Sequence, residues 1–127
     1  MKERPIIEKL IKCRLVYLAT PYSKYPAGID AAFIAACKVA AYFIRNGIKT
    51  YSPIAHTHPI AIHGRIDPWD HSIWLPFDKT MMELADAIVV AELPSWEISK
   101  GIEHEVNFFI DRSKPVFYYD PSNSGYL

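Results

Sequence analysis

Short apolar runs alternate with longer amphipathic stretches along this chain, and the alternation predicts strands separated by helices. Each short run is rich in β-branched or aromatic side chains, and most are closed by a proline or a polar residue, as strands usually are. The predicted strands are residues 14–20, 48–52, 87–91 and 116–119.

The stretches between these runs predict helices and one long loop. Residues 29–45 are Ala-rich and end at Asn46-Gly47, a typical helix terminator, and residues 74–84 form a further helix. Residues 54–73 contain four histidines and interrupting prolines, and we interpret them as a long loop holding at most one helical turn. Loops of that length in a compact domain are usually functional or disordered.

Strands that alternate with helices predict a parallel sheet covered on both faces. We therefore expect a small doubly wound α/β fold, flavodoxin-like or Rossmann-like, with about four strands. Ligands of such folds bind beyond the carboxyl ends of the strands. Here those ends are the loops that start at Thr20, Pro53, Glu92 and Asp120.

The last helix carries the candidate reactive group. At about 100° per residue, Glu105 lies at the margin of the apolar face, one turn from the helix start. A half-buried carboxylate there suits a ligand site, although a salt-bridged border residue is the plain alternative. The apolar stripe is predicted to be Ile102, Val106, Phe109 and Ile110, with Glu103, His104 and Asp111 facing away.

Composition narrows the function classes. A length of 127 residues predicts a single domain spanning residues 1–127. Basic and acidic residues balance at 14 each, so no net field attracts a nucleic acid polymer or a membrane surface. Cys13 and Cys37 lack metal or redox spacing, and no run approaches the ~18 apolar residues of a membrane span. We expect a cytoplasmic protein.

The usual nucleotide signatures are absent. The first strand is followed neither by Gly-x-Gly-x-x-Gly nor by a Gly-Lys-Ser/Thr loop. Its loop, residues 20–28, instead offers hydroxyl groups and one cation, which would suit a single phosphate or sugar hydroxyls. Thr20, Tyr22 and Ser23 are therefore candidate substrate-binding residues, with a capped turn as the alternative.

Four motifs in order resemble the nucleoside 2-deoxyribosyltransferase superfamily, including its branch of 2'-deoxynucleoside 5'-phosphate N-hydrolases. They are Val-Tyr-Leu-Ala-Thr-Pro-Tyr, Asp78 followed by Asp-Ala-Ile-Val-Val-Ala-Glu, Gly101-x-x-x-Glu105, and Lys114-Pro115. The resemblance runs from about Arg14 to Tyr119. It is strongest with an uncharacterised bacterial and phage branch.

The resemblance implies roles for three residues. Glu105 takes the place of the nucleophile, Asp78 that of the acid that protonates the leaving base, and Tyr17 that of the tyrosine that orients the nucleophile. Such chemistry is physically sound, because a carboxylate can trap the oxocarbenium-like centre of N-glycoside cleavage. It needs no cofactor. Asp78 has a plain alternative as a helix-face or capping residue.

Ser99 bears on the substrate class. The resemblance implies that transferases carry an acidic residue at this position, whereas the N-hydrolases carry a serine near phosphate. A serine at a helix N-terminus would accept a 5'-phosphate, but an ordinary N-cap needs no ligand. We place Ser99 and Gly101 among the substrate-binding residues.

The histidines allow two interpretations. His56 or His58 is expected to line the pocket and to offer a hydrogen bond to phosphate or base. The rival is a metal site whose ligands are these two histidines with His63 and His71, completed by Asp67 or Asp70. Nothing fixes its spacing, so we predict no metal. Trp69, Trp74 and Trp96 are either base-stacking residues or core and subunit contacts.

These observations predict an enzyme that cleaves or exchanges the N-glycosidic bond of a nucleoside or nucleoside 5'-monophosphate. The alternative is a catalytically silent nucleotide-binding domain of the same fold. The helix at residues 29–45 and the aromatic segment at residues 69–74 offer more apolar surface than a four-stranded sheet can cover. We therefore expect a homodimer or larger homo-oligomer.

Overall fold

The computed structural model describes residues 4–124, so the ends of the predicted domain, residues 1–3 and 125–127, lie outside the described residues. Within residues 4–124 there are five helices and four strands, and two of the helices follow one another without a strand between them. The strands are β1 (Val16–Ala19), β2 (Thr50–Tyr51), β3 (Ala87–Ala91) and β4 (Val116–Tyr119). The helices are α1 (Arg4–Ile11), α2 (Ile29–Arg45), α3 (Pro53–Gly64), α4 (His71–Leu84) and α5 (Lys100–Asp111), with short 3-10 turns at Trp96–Ile98 and Pro121–Ser124.

All strand pairs are parallel, and the strand order is β2-β1-β3-β4. The predicted small doubly wound α/β fold is therefore confirmed. From β1 the chain continues through α2 to β2, which pairs with one edge of β1. It then returns through α3 and α4 to β3, which pairs with the other edge of β1. That reversal opens a crevice at the carboxyl ends of β1 and β3, where such folds bind ligands.

The alternation of side chains along β1 divides the core into two halves. Val16 and Leu18 pack into a cluster with Phe43 of α2, on one face of the sheet. Tyr17 and Ala19 point to the opposite face and pack with residues of α4 and α5 such as Phe109. Because of this register, Tyr17 lies on the side of the sheet that carries the Glu105 helix.

The prediction of a long loop over residues 54–73 is wrong, because residues 54–64 belong to helix α3 and residues 71–73 to helix α4. Ser52 caps the helix by accepting a hydrogen bond from the backbone N–H of Ala55 at 3.1 Å, and Pro53 occupies the first turn, where a missing N–H costs nothing. The helix ends at Gly64, and its C-cap, Arg65, has a left-handed φ of 57°. Pro59 and the histidines hide its periodicity, yet Ser52-Pro53 is a recognisable start signal.

The start of one helix and one residue of the apolar stripe also differ from the prediction. Helix α4 begins at His71 rather than Trp74, since Asp70 caps it by accepting from the backbone N–H of Ser72. Ile110 is 57% exposed, so it does not belong to the apolar stripe of α5; Phe108 is buried in its place. Among residues 4–124 no helix is long and apolar enough to cross a bilayer.

Candidate functional site

A cavity of about 270 Å³ opens at the carboxyl end of the sheet. Its wall comes from the segments after β1 and β2, from α4 and from the first turns of α5. The volume is close to the lower end of small-molecule pockets, about 300 Å³. The predicted site residues that line it are Thr20, Tyr22, Ser23, His58, Asp78, Ser99, Gly101 and Glu105.

Tyr17 positions the side chain of Glu105 at this cavity through a hydrogen bond. Its hydroxyl donates a hydrogen bond of 2.5 Å to Oε2 of Glu105. The tyrosine is fully buried, and its ring packs against Phe109 and Tyr51 with centroids 5.8 and 5.9 Å away. The sheet and α5 therefore fix the orientation of the Glu105 carboxyl group, while the carboxyl itself faces the cavity.

Burial perturbs both carboxyl groups of the cavity. It raises the pKa of Glu105 from 4.5 to about 8; the hydrogen bond from Tyr17 opposes this shift, and Asp78 adds to it. Burial also raises the pKa of Asp78, from 3.8 to about 6. One oxygen of Asp78, Oδ1, is buried without a hydrogen-bond partner among the described residues. Buried acids with raised pKa values in a cavity are typical of functional sites.

The two pKa values together define the charge of the pair near neutral pH. Between about pH 6 and pH 8, Glu105 and Asp78 carry one proton between them. In the free protein the proton resides mainly on Glu105, because its pKa is the higher one. Groups that interact in this way titrate as a pair.

Ser99 caps α5 by accepting a hydrogen bond from the backbone N–H of Ile102 at 3.2 Å. Lys100, Gly101 and His104 line the cavity beside it, which puts a cation and a helix N-terminus at one wall. A Cβ at Gly101 would meet only the Ser99 hydroxyl oxygen, at 3.8 Å. The backbone at residue 101 therefore does not require glycine.

The loop after β1 contributes hydroxyl groups. Thr20 is 5% exposed, and its Oγ1 has no hydrogen-bond partner within the described part of the chain. Tyr22 and Ser23 follow it on the cavity wall. Gly28, with φ of 95°, makes the turn into α2 that a side chain would strain.

The structure brings His58 to the cavity but not His56. Residues two apart on a helix point to different sides, whereas the prediction assumed a strand or loop. His58 is 5% exposed; its Nδ1 lies 2.6 Å from the Tyr22 hydroxyl and its Nε2 lies 3.0 Å from Oδ1 of Asp30. His56 instead stacks on Phe77 with centroids 5.1 Å apart.

Other candidates from the sequence are divided between cavity and scaffold. Trp69 and Trp74 line the cavity, whereas Trp96 packs against Tyr118. Within residues 4–124 no group of three or more His, Cys, Asp or Glu side chains is placed to hold a metal ion.

Sequence reasoning missed two polar residues of the cavity wall, Lys100 and His104, and one residue behind the wall, Asp30. For Lys100 and His104, a helix start beside Ser99 was the available signal. Asp30 approaches His58 from a position 28 residues earlier in the chain, and no local pattern indicates that contact.

One comparison with known proteins gives a match. Residues 14–121 match the family described as "Domain of unknown function (DUF1937)". The matched region includes all four strands and every residue of the cavity wall. No curated protein matches the chain.

Proposed function

The chain belongs to the DUF1937 family, and we propose that it cleaves or exchanges the N-glycosidic bond of a nucleoside or nucleoside 5'-monophosphate. The observation that carries the proposal is the Tyr17 hydroxyl holding Glu105 at 2.5 Å in a cavity that Asp78 shares. The motifs that resemble the nucleoside 2-deoxyribosyltransferase superfamily support the same roles for these three residues.

In the proposed reaction an oxygen of Glu105 attacks the anomeric carbon of the sugar. The bond from that carbon to the base nitrogen breaks, and a glycosyl ester forms on Glu105, while Asp78 gives its proton to the departing base. Water or a second base then attacks the anomeric carbon, the ester bond breaks, and Asp78 takes the proton of the attacking molecule. Both carboxyl groups return to their starting states.

The reaction requires the shared proton to reside on Asp78 at the moment of attack. In the free protein it resides mainly on Glu105, so substrate binding has to reverse the distribution. Positive charge that develops on the sugar favours an ionised Glu105 beside it. The hydrogen bond from Tyr17 stabilises the same ionised form.

The wall at the start of α5 supports a 5'-monophosphate as the substrate. Lys100 brings a positive charge, and Ser99 with the free N–H groups of the first turn offers hydrogen bonds to phosphate oxygens. We expect Ser99→Asp to weaken 5'-monophosphates selectively relative to nucleosides, because it places a negative charge beside the phosphate.

One observation favours a second candidate, a nucleotide-binding domain without catalysis. With a pKa of about 8, Glu105 is largely protonated at neutral pH and is then a poor nucleophile. A binding domain needs no ionised carboxylate, whereas the enzyme needs the substrate to produce one.

A panel of substrates separates the two candidates. We would measure base release from purine and pyrimidine nucleosides, as ribosides and 2'-deoxyribosides, and from their 5'-monophosphates, with and without an acceptor base. If the protein is an enzyme, wild-type protein should release base and Glu105→Gln should abolish this release. Glu103 is an exposed residue on the same helix, so Glu103→Gln should preserve the release. Binding without release across the panel would favour the silent domain.

We also propose a homo-oligomer in the cytoplasm. Large apolar side chains on the outer surface of α3 and α4 support self-association; Ile60, Ile62 and Ile73 are each at least 40% exposed. Cys13 and Cys37 are free thiols, which suits a reducing compartment. Light scattering at micromolar concentration should give at least twice the mass of one chain, and a monomer would contradict the proposed assembly.

A further inference from the structure

The cavity wall has a second polar feature besides the carboxyl pair of Glu105 and Asp78. Two hydrogen bonds connect this part of the wall to the surface of α2. The Tyr22 hydroxyl lies 2.6 Å from Nδ1 of His58, and Nε2 of the same ring lies 3.0 Å from Oδ1 of Asp30. The side chain of Asp30 is 87% exposed, whereas that of His58 is 5% exposed. Tyr22 and His58 both line the cavity, and Asp30 is the solvent-exposed end of this series of hydrogen bonds.

The chemistry of the partners sets the direction of the bond to Asp30, and for a neutral ring the direction of the bond to Tyr22 follows from it. A carboxylate only accepts, so Nε2 of His58 carries a hydrogen and donates it to Asp30. In the neutral ring Nδ1 is then an acceptor, and the Tyr22 hydroxyl donates to it. Burial raises the pKa of Tyr22, and the negative charge of Asp30 adds to the shift, so the hydroxyl keeps its proton.

This arrangement decides what Tyr22 can offer a ligand. Its only hydroxyl hydrogen is used by His58, so the phenolic oxygen presents a lone pair and acts as an acceptor. Phe33 stacks on the imidazole of His58 with centroids 4.8 Å apart and an interplanar angle of 27°. That packing keeps the ring in the orientation that serves both hydrogen bonds.

The surroundings of Tyr22 suit a nucleobase. Trp69, 46% exposed, lies 5.4 Å from the Tyr22 ring, so the two form an aromatic surface on the cavity wall. The two rings are inclined by 48°, so a flat base can stack on the Trp69 ring and present its polar edge to the Tyr22 hydroxyl. The sugar has to contact Glu105 instead, because attack occurs at its anomeric carbon.

We propose that Asp30, His58 and Tyr22 form a base-selecting hydrogen-bond chain that favours nucleobases with an exocyclic amino group over those with a carbonyl in its place. The inference rests on the proposed function. An amino group donates to the Tyr22 oxygen, whereas a carbonyl at the same place leaves two acceptors facing each other. Asp30 and His58 are positioning residues, and Tyr22 is the residue that touches the base.

The test compares matched pairs of substrates at a single pH. The pairs are 2'-deoxyadenosine with 2'-deoxyinosine and 2'-deoxycytidine with 2'-deoxyuridine, and the readout is the ratio of kcat/KM within each pair. Wild-type protein should favour the amino member of at least one pair. Tyr22→Phe should reduce that preference about tenfold, chiefly by slowing the amino substrate.

Variants of the outer residue test the chain itself. Asp30→Asn should lower the preference in part, because an amide fixes the imidazole less firmly than a carboxylate does, and Asp30→Glu should restore it. Tyr25→Phe changes a tyrosine of the same loop that does not line the cavity, so it should leave the ratio unchanged. A merely structural role for Asp30 would lower both members of a pair equally and would contradict the proposal.

Binding measurements separate this proposal from the proposed function. Calorimetry with the same four nucleosides on Glu105→Gln, with and without Tyr22→Phe, reports base preference without turnover. If base preference in binding depends on Tyr22 but wild-type protein releases no base, the base-selecting hydrogen-bond chain is supported and the proposed enzymatic activity is overturned. If base is released but the kcat/KM ratio within each pair is unchanged in Tyr22→Phe, only the proposed hydrogen-bond chain is overturned and the enzymatic activity stands. A changed ratio of ribosides to 2'-deoxyribosides, measured by adding the corresponding ribosides, would instead assign Tyr22 to a sugar hydroxyl and overturn the proposed base selection. Absence of binding by these nucleosides and by their 5'-monophosphates would overturn it as well.

Discussion

The hydroxyl of Tyr17 donates a 2.5 Å hydrogen bond to Oε2 of Glu105, although the two residues are 88 positions apart in the chain. The bond joins the central strand β1 to helix α5 on one face of the sheet. It lowers the pKa of Glu105, which burial raises, so it favours the ionised form that the proposed attack on a sugar requires. Tyr17 is thus a positioning residue for Glu105.

Removing that bond should change the pH dependence of the reaction. In Tyr17→Phe the pKa of Glu105 should rise above about 8, because burial then acts without the opposing hydrogen bond. We expect the alkaline limb of the kcat/KM profile to move to higher pH, and kcat at neutral pH to fall about tenfold or more. A profile identical to that of wild-type protein would show that the bond does not tune Glu105. Tyr25→Phe is the matched control.

The wild-type pH profile follows from the carboxyl pair. Below about pH 6 both groups are protonated and Glu105 cannot attack; above about pH 8 both are ionised and the base receives no proton. The profile of kcat/KM should therefore be bell-shaped, with a maximum near pH 7. A plateau extending from pH 5 to pH 9 would contradict a shared proton.

The same carboxyl should destabilise the fold at alkaline pH. The pKa of Glu105 is higher in the folded chain than its ordinary value of 4.5, so the folded state binds the proton more tightly, and stability falls as pH rises from about 4.5 to about 8. Glu105→Gln removes this penalty. It should raise the free energy of unfolding by on the order of 2 kcal/mol at pH 8, less than the full shift implies because the side chain keeps some contact with solvent.

Denaturant unfolding of both proteins at pH 4 and pH 8 checks this prediction. The advantage of Glu105→Gln should disappear at pH 4, where the wild-type carboxyl is protonated in both states. An advantage of equal size at both pH values would mean that burial does not perturb Glu105.

Thr20 should contribute to ligand binding and not to stability. Its hydroxyl is buried at the cavity and has no partner among the described residues, so replacing it by a methyl group removes a desolvated polar atom at little structural cost. Thr20→Val should leave the melting temperature equal or higher and weaken ligand binding about tenfold, measured by calorimetry on the Glu105→Gln background. Unchanged affinity would show that the hydroxyl meets no ligand group.

The sequence predicts the sheet better than it predicts the cavity wall. Strand runs such as residues 87–91 are recognisable because buried parallel strands are almost wholly apolar, and the position of Glu105 follows from the period of α5. Helix α3 is hidden because Pro59 and its histidines mask the 3.6-residue period. The contact between Asp30 and His58 depends on how α2 packs against α3, which no local pattern encodes.

The most direct measurement of the central claim is mass spectrometry of the protein after reaction with a 2-deoxy-2-fluoro nucleoside. The fluorine slows breakdown of a glycosyl ester, so the intermediate should accumulate. We predict that wild-type protein gains the mass of one fluorosugar on the peptide that contains Glu105, and that Glu105→Gln gains none. Base release without any adduct, or an adduct on another residue, would contradict a covalent role for Glu105.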